Sequence, residues 1–157
     1  MSSGHQHDRG TVILALGVGL GLTWWSLPVA LTGGLAILIG GLWLSPDLDL
    51  VSRPLRRWGL LAPLWWPYRR CIPHRSPLSH GPLIGMTLRL LYLGSWIALA
   101  WGLLHVLGLS GPPSLKPLQQ LWLEQRPLCL AALLGLEASS WLHLVMDGDP
   151  LPRWMRR

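Results

Sequence analysis

The longest uncharged stretch of the chain limits its possible folds more than any other feature. Thirty-four consecutive residues, Thr11 to Leu44, include no Asp, Glu, Lys, Arg or His. A single helix of that length would extend about 50 Å, whereas the hydrocarbon core of a bilayer is about 30 Å thick. The stretch is therefore predicted to fold back on itself as two helices.

A proline and two tryptophans predict where the chain folds back. Trp24 and Trp25 precede Pro28; proline ends a helix, and tryptophan favours the membrane interface. The resulting arms, 11–25 and 28–44, are shorter than the roughly 20 residues of a usual span, so tilt, local thinning or a re-entrant hairpin must cover the difference. Small residues let membrane helices approach closely. The glycines that predict such an approach are Gly17, Gly19, Gly21, Gly33, Gly34, Gly40 and Gly41.

Two further apolar runs extend the membrane interpretation to the whole chain. Residues 82–109 and 127–146 are apolar apart from a few charged and histidine side chains. With 157 residues, of which 50% are apolar and 13% charged, the composition is typical of one membrane domain. We predict a single domain, 1–157, that forms an all-α integral membrane bundle of about four helices, arranged as two helical hairpins.

The basic residues are distributed unevenly between the two ends of this bundle. Ten of the thirteen fall in the N-terminal segment, in a central polar segment, 45–81, or at the C-terminus as Arg153, Arg156 and Arg157. Because cytoplasmic segments carry the excess of Lys and Arg, we expect both termini and the central segment to be cytoplasmic, at a bacterial-type inner membrane. The net charge of +6 would favour anionic lipid at that surface.

Tryptophans are interspersed with the arginines of the central segment. Trp58, Trp65 and Trp66 are better explained by the headgroup layer than by base stacking, because no nucleic-acid-binding module accompanies them. We therefore expect the lipid bilayer to be a partner and nucleic acid not to be one.

The central segment also contains residue types that bind metals. Asp47 and Asp49 follow a proline where an apolar run ends, and His74 and His80 lie six residues apart. Carboxylate oxygens and imidazole nitrogens from separate loops suit zinc, manganese or iron. A thiolate zinc site is not indicated, because neither of the two cysteines belongs to a CxxC pair.

The predicted topology places further donors at the same surface. His143 and Asp147 are four residues apart, about one helical turn, and so share a helix face. Taken singly, each candidate has an ordinary explanation as a turn residue, a solvated loop histidine or a tail residue. Their common position, in a chain this poor in polar residues, favours a metal-ligand set. The set comprises His7, Asp47, Asp49, His74, His80, His143 and Asp147.

Six spaced motifs together are typical of one protein family. They are Ser3-Gly4-x-x-His7-Asp8-Arg9-x-Thr11, Pro46-Asp47-Leu48-Asp49, Arg57-Trp58-Gly59, His74-Arg75-Ser76-Pro77-Leu78-Ser79-His80-Gly81, Gly135-Leu136-Glu137 and His143-x3-Asp147. Over nearly its whole length the chain resembles the metal-binding membrane proteins with domain of unknown function 2227. The resemblance implies a metal-binding membrane protein whose substrate is not established.

Two more distant resemblances concern the order of the donors. The aspartate motif, the 74–80 motif and His-x3-Asp are similar to those of the YdjM-type inner-membrane proteins, which are regarded as metal-dependent hydrolases. The order of donors also resembles the first part of the ligand series in zinc-dependent phospholipases C and single-strand nucleases. Those enzymes add a second His-x3-Asp and a further His, which this chain lacks, so the resemblance does not imply a complete three-metal cluster. The ligands that it implies are His7, Asp47, His80, His143 and Asp147.

These observations predict a membrane-bound metal-dependent hydrolase that acts on a phosphoester or lipid-like substrate. A divalent metal, zinc or otherwise manganese or iron, would activate water. Asp49 would bridge two metals or orient His80, and Arg75 would hold a substrate phosphate or act as an ordinary surface arginine. His74 would contact substrate, complete the ligand set or lie in solvent. The alternative is a non-catalytic protein with a structural ion, whereas a transporter is disfavoured because the apolar runs offer too few polar residues.

Two charges inside the later apolar runs lead to one more prediction. Arg89 lies about 9 Å along a helix from Leu83, and Glu137 lies about 9 Å from His143. Charges within lipid usually pair, so we predict an ion pair between Arg89 and Glu137 beneath the metal site.

Overall fold

The structure, a computed structural model, describes residues 4–148. All regular elements in that range are helical, which confirms the all-α prediction. Ser3 and the three C-terminal arginines, on which part of the sequence interpretation rests, lie outside the described residues. The helices are α1 (Gly4–Leu22), α2 (Leu27–Leu42), α3 (Arg53–Arg57), α4 (Trp66–Cys71), α5 (Pro77–His80), α6 (Ile84–Val106), α7 (Lys116–Glu124) and α8 (Arg126–Met146), with 3₁₀ helices at Pro46–Asp49 and Gly59–Trp65.

The uncharged stretch folds back where the sequence predicted. Pro28 lies in the first turn of α2, where its missing N–H removes no helical hydrogen bond. The connection is closed by a hydrogen bond from the Ser26 N–H to the Leu22 carbonyl. α1 begins at Gly4, earlier than the predicted arm, so His7 lies on a helix rather than in a tail.

Glycines bring α2 close to two other helices. A Cβ atom at Gly34 would lie 3.3 Å from a backbone oxygen of α1, and one at Gly135 of α8 would lie 2.6 Å from the Gly33 carbonyl oxygen. The predicted close approach of the first two helices is therefore confirmed, and the structure extends it to α8. The prediction was wrong at Gly17 and Gly21, where no other part of the described chain lies within 4 Å of the Cβ position.

The short helices between α2 and α6 fold around an apolar cluster. Trp65 is fully buried in it, and its ring meets the edge of the Tyr68 ring at a centroid distance of 5.4 Å. Burial of a large aromatic side chain stabilises a fold by about 1.5–3 kcal/mol. Trp65 is thus a core residue, contrary to the headgroup-layer prediction, whereas Trp66 is exposed. The buried members of the cluster are Leu44, Leu48, Leu55, Trp65, Tyr68 and Met86.

α6 is anchored near one end only. Its buried residues, Gly85, Met86 and Arg89, lie in its first two turns, and many of the apolar side chains beyond them are exposed. α7, which the sequence interpretation did not include, has no buried residue. Both helices therefore leave apolar surface uncovered by the rest of the described chain.

Within residues 4–148, three helical segments are long and apolar enough to cross a membrane: Leu27–Asp49, Ile84–Val106 and Arg126–Met146. This agrees with a membrane location. The count of four membrane-embedded helices and the cytoplasmic position of both termini stay predictions.

Arg89 and Glu137 do not form the predicted ion pair. Arg89 is fully buried and donates from Nη1 to the Ser79 carbonyl oxygen at 2.8 Å and from Nη2 to Ser140 Oγ at 3.0 Å. Glu137 instead accepts a hydrogen bond from the N–H of Leu83 at 2.8 Å. The prediction was wrong because each charge has a nearer polar partner than the other, and helical periodicity does not reveal such partners.

Candidate metal centre

The predicted donors meet at one end of the described structure. α1 carries His7 in its first turn, and α8 carries His143 in its last turn, directly before the Asp147 cap. The His7 and His143 rings stack at a centroid distance of 4.2 Å. The 3₁₀ helix Pro46–Asp49, the following loops and α5 supply the other donors.

Serine side chains fix the backbone that carries Asp47. Ser45 Oγ accepts a hydrogen bond from the Asp47 N–H at 3.4 Å, and Ser52 Oγ donates to the Asp47 carbonyl at 2.8 Å. Pro46, between them, restricts the backbone further. These serine contacts therefore fix the backbone of the short 3₁₀ helix at the aspartate.

α5 holds His80 by similar local means. Ser76 caps the helix by accepting a hydrogen bond from the Ser79 N–H at 3.3 Å. A Cβ atom at Gly81 would lie 2.1 Å from the Pro77 carbonyl oxygen, so only glycine allows the chain to leave the helix along this path. Ser79 Oγ lies 2.9 Å from His80 Nδ1, which leaves Nε2 facing the other donors.

One set of three donors, here called the α1/α8 group, comprises His7, His143 and Asp147. One ligand atom from each lies within 4.8 Å of those from the other two. His7 Nε2 lies 3.0 Å from Asp147 Oδ1, and His143 Nε2 lies 3.6 Å from Asp147 Oδ2. The two carboxylate oxygens thus face two different imidazoles.

A second set, the central group, comprises Asp47, His74 and His80. Their ligand atoms also lie within 4.8 Å of one another. His80 is buried, with 6% of its side chain exposed, whereas 34% of the His74 side chain is exposed. The central group is therefore shielded from solvent at His80 and accessible to solvent on its open side, at His74.

Asp47 links the two groups. Its Oδ1 lies 3.5 Å from His143 Nε2 and 3.8 Å from His80 Nε2. Ligand atoms that share a tetrahedral ion at about 2.1 Å lie roughly 3.4 Å apart, which follows from tetrahedral geometry and ordinary zinc bond lengths. The observed spacings suit atoms that share a metal better than atoms that share a proton.

The histidine nitrogens provide the test of whether a metal fits. His80 Nε2 and His143 Nε2 are buried, and neither has a hydrogen-bond partner in the described part of the chain. A buried imidazole nitrogen without a partner is unfavourable, and a metal ion satisfies it. Burial, with the neighbouring His143, lowers the pKa of His80 to about 3. The neutral form that binds metals is therefore the stable form of His80 at neutral pH.

Asp49 lies on the opposite side of the central histidines from Asp47. Its buried carboxylate contacts His74 Nδ1 at 3.0 and 3.1 Å, and its Oδ2 lies 3.7 Å from His80 Nδ1. A carboxylate on the second nitrogen of a ligating histidine fixes the ring and its tautomer. The geometry favours this orienting role for Asp49 over a bridging one.

Arg75 lies next to the open side of the central group. It follows His74 in the chain, is half-buried, and adopts a left-handed backbone with φ 57°. Such a conformation is uncommon for residues other than glycine, asparagine and aspartate, and it often occurs at functional sites. Arg75 forms no hydrogen bond or ion pair with the rest of residues 4–148, so its guanidinium is available to a ligand.

Several supporting residues were not predicted from the sequence. Ser45 Oγ lies 3.5 Å from His143 Nδ1, and Arg89 holds the carbonyl of the residue before His80. Asp8 forms an ion pair with Arg57 at 2.6 Å, which ties the start of α1 to α3. The signal for this pair was present, because Asp8 and Arg57 each belong to a motif of the family resemblance.

The sequence profile of one family, described as uncharacterized metal-binding proteins with domain of unknown function 2227, matches residues 2–157. The chain belongs to this family. The resemblance drawn from the motifs is confirmed, and the two donor groups are the part of the structure that suits the metal-binding description. The individual ligand and catalytic roles of the seven predicted residues and Arg75 stay predictions, as does the YdjM-type resemblance.

One relative is an uncharacterized protein from Aquifex aeolicus (strain VF5), which is 43% identical over 61 residues. The matched part is 38% of this chain and 43% of the relative, so the likeness covers less than half of either protein. No solved structure matches the chain.

Proposed function

We propose that the protein is a membrane-bound metal-dependent hydrolase that acts on a phosphoester of a lipid-like molecule. One contrast within the donor set carries the proposal: His80 and His143 have 6% of their side chains exposed, whereas Asp47, which faces both, has 30% exposed. Catalytic metal sites keep one position open to water or substrate, and structural sites are closed. A donor set with two buried histidines and a partly exposed aspartate therefore supports catalysis.

Each side chain has a separate role in such a site. When bound, a divalent ion activates water and polarises a phosphoryl oxygen. His80 and His143 bind through their buried Nε2 atoms, and Asp47 binds through its ionised carboxylate. Asp49 holds the central histidines in position from the Nδ1 side. Arg75 pairs with the substrate phosphate, for which a planar guanidinium is well suited.

The donor chemistry restricts the metal. Imidazole nitrogens together with carboxylate oxygens suit zinc, manganese and iron, and the protein offers no thiolate donor in either group. Zinc is our first choice, because three protein donors with one open position is its usual catalytic arrangement.

A lipid-like substrate is supported by the surface around the donors. Leu50 and Val51, directly after the aspartate-bearing 3₁₀ helix, are exposed, and so are Leu78 and Leu83 on either side of His80. Exposed leucines and valines beside polar donors suit the boundary between headgroups and acyl chains. A membrane phosphoester would present its polar group to the donors and its chains to these residues.

The alternative function is that of a structural ion in a non-catalytic protein. It is favoured by one observation, namely that the donors come from α1, the 3₁₀ helix Pro46–Asp49, α5 and α8, so an ion would tie four segments together. This alternative requires a closed ligand set and gives no turnover.

Metal-dependent hydrolysis by the purified full-length protein tests the proposal. The protein would be loaded with Zn²⁺, Mn²⁺ or Fe²⁺ in separate samples and screened against phosphomonoesters, phosphodiesters and lipid phosphoesters. We expect turnover that chelation abolishes and added metal restores. His80→Ala should lose metal and activity, whereas Arg75→Ala should retain metal and lose turnover.

His105→Ala serves as the matched control. His105 lies near the far end of α6, where its Nδ1 contacts the Ser110 carbonyl at 3.1 Å, away from both donor groups. It should retain full metal content and full activity. A protein that retains its metal but hydrolyses none of the substrates would support the structural ion instead.

A further inference from the structure

We infer that a groove between α1, α2 and α8 binds a glycerophospholipid with an anionic headgroup, whose phosphate pairs with Arg126. The groove depends neither on a metal nor on the proposed hydrolysis. Arg126 is the first residue of α8 and His143 lies in its last turn. About 25 Å of helix therefore separates the charged end of the groove from the donor groups.

Small residues make room for a ligand in this groove. Gly33 of α2 is buried at its base, where a Cβ atom would lie 3.7 Å from Leu22 of α1 and 4.0 Å from Ala131 of α8. The cavity has a volume of about 490 Å³, and ligand sites usually have about 300–1,000 Å³. Along α8 it extends from Arg126 to Ala138, a distance of about 18 Å. This elongated shape suits an acyl chain.

The lining of the groove is almost entirely apolar. Among the described residues that line it, Arg126 is the only charged one. Two of its walls, α2 and α8, belong to segments that are long and apolar enough to cross a membrane. In a bilayer, hydrocarbon chains would surround these walls. An acyl chain is therefore the part of a ligand that matches the groove between them.

Tryptophans indicate that Arg126 lies at the depth of the lipid headgroups. Trp25, just before α2, lines the same end of the groove and is exposed, and the Arg126 guanidinium carbon lies 5.6 Å from the centre of the Trp122 ring. Tryptophan is enriched where a membrane meets water. Arg126 also begins a candidate membrane span. Its guanidinium would thus meet the phosphate of a lipid whose chain occupies the groove.

The charge of Arg126 favours an anionic lipid over a second copy of the chain. Arg126 is exposed and forms no ion pair with another of residues 4–148, and Glu124, which ends α7, does not line the groove. An apolar helix from a second copy would cover the guanidinium without a counter-charge, which is unfavourable. A phosphate supplies that charge and accepts two parallel hydrogen bonds from a guanidinium.

Native mass spectrometry of the full-length protein, released from detergent micelles, tests the inference. The probes are dioleoyl-phosphatidylglycerol and dioleoyl-phosphatidylcholine, which have the same acyl chains but differ in net charge. We expect the wild type to bind the anionic lipid at least about fivefold more tightly, the effect of one basic residue at an anionic lipid surface. Arg126→Gln should remove this preference. Lys116→Gln, which removes a charge at the start of α7 outside the groove, should retain it.

A second pair of variants tests the position of the acyl chain. Ala131→Phe fills the groove and should weaken the binding of both lipids, whereas Ala100→Phe, at an exposed position of α6, should not. A phosphatidylglycerol with a photoreactive group in its acyl chain should label residues 130–138. Equal affinity of the wild type for the two lipids, or a preference that persists in Arg126→Gln, would overturn the inference. Labelling only outside the groove, or cross-links between two chains at 130–138, would also overturn it.

Discussion

Replacing Arg89 by methionine would remove two hydrogen bonds from the interior of the protein. The fully buried guanidinium donates to the Ser79 carbonyl at 2.8 Å and to Ser140 Oγ at 3.0 Å. Each hydrogen bond to a charged group contributes about 1.5–3 kcal/mol, and the desolvation of the buried charge offsets part of the sum. We expect Arg89→Met to lower the free energy of unfolding by about 2–4 kcal/mol.

Chemical denaturation in detergent micelles would measure this loss, and double-mutant cycles would assign it. Arg89→Met combined with Ser140→Ala should show a coupling of about 0.5–3 kcal/mol, because the two side chains are in contact. Arg89→Met combined with Glu137→Gln should show a smaller coupling, since the two charges form no ion pair. A larger coupling to Glu137 than to Ser140 would refute the reasoning and restore the pairing predicted from the sequence.

Three further predictions concern packing, pH and topology. A Cβ atom at Gly40 would lie 2.1 Å from a hydroxyl oxygen of α8, so Gly40→Ala should lower the free energy of unfolding by about 1–3 kcal/mol. A Cβ atom at Gly17 would meet no atom within 4 Å. In the same denaturation assay Gly17→Ala should therefore raise the free energy of unfolding by up to about 1 kcal/mol. The folded-state pKa of His80 is about 3, below its ordinary 6.5, so the unfolded chain takes up a proton first. The metal-free protein should therefore lose stability as the pH falls from 6.5 toward 3, and a His80→Gln variant with an unchanged pH dependence would contradict this. Reporter fusions at Gly10 and Arg157 should both report the cytoplasm, and opposite sides would rule out the predicted topology.

The fold-back of the uncharged stretch was predictable because its cause is local. A proline in the first turn of α2 and the length of a bilayer-spanning helix determine it, and both can be read from the sequence. The contact of α2 with α8 was not predictable, because Gly135 meets Gly33 across about a hundred residues. α7 was missed because its proline and polar residues resemble those of a loop.

The residues that meet at the candidate site were predictable, but the side chains that support them were not. Aspartate and histidine stand out in a chain this apolar, and the basic residues indicate which segments share a surface. The roles of Ser45, Ser79 and Arg89 depend on tertiary contacts, because these side chains contact the segments that carry the donors. The same limit produced the wrong pairing of Arg89 with Glu137, because each side chain has polar partners that helical periodicity does not reveal.

Anomalous diffraction from crystals of the metal-loaded protein is the most direct test of the account, because it locates the metal without reference to any activity. We predict anomalous density at about 2.0–2.2 Å from His80 Nε2, His143 Nε2 and Asp47 Oδ1, which are ordinary metal–ligand distances. Data collected on either side of the absorption edge of the loaded metal would exclude other scatterers. Density at some other part of the chain, with these three atoms left without a metal, would contradict the account.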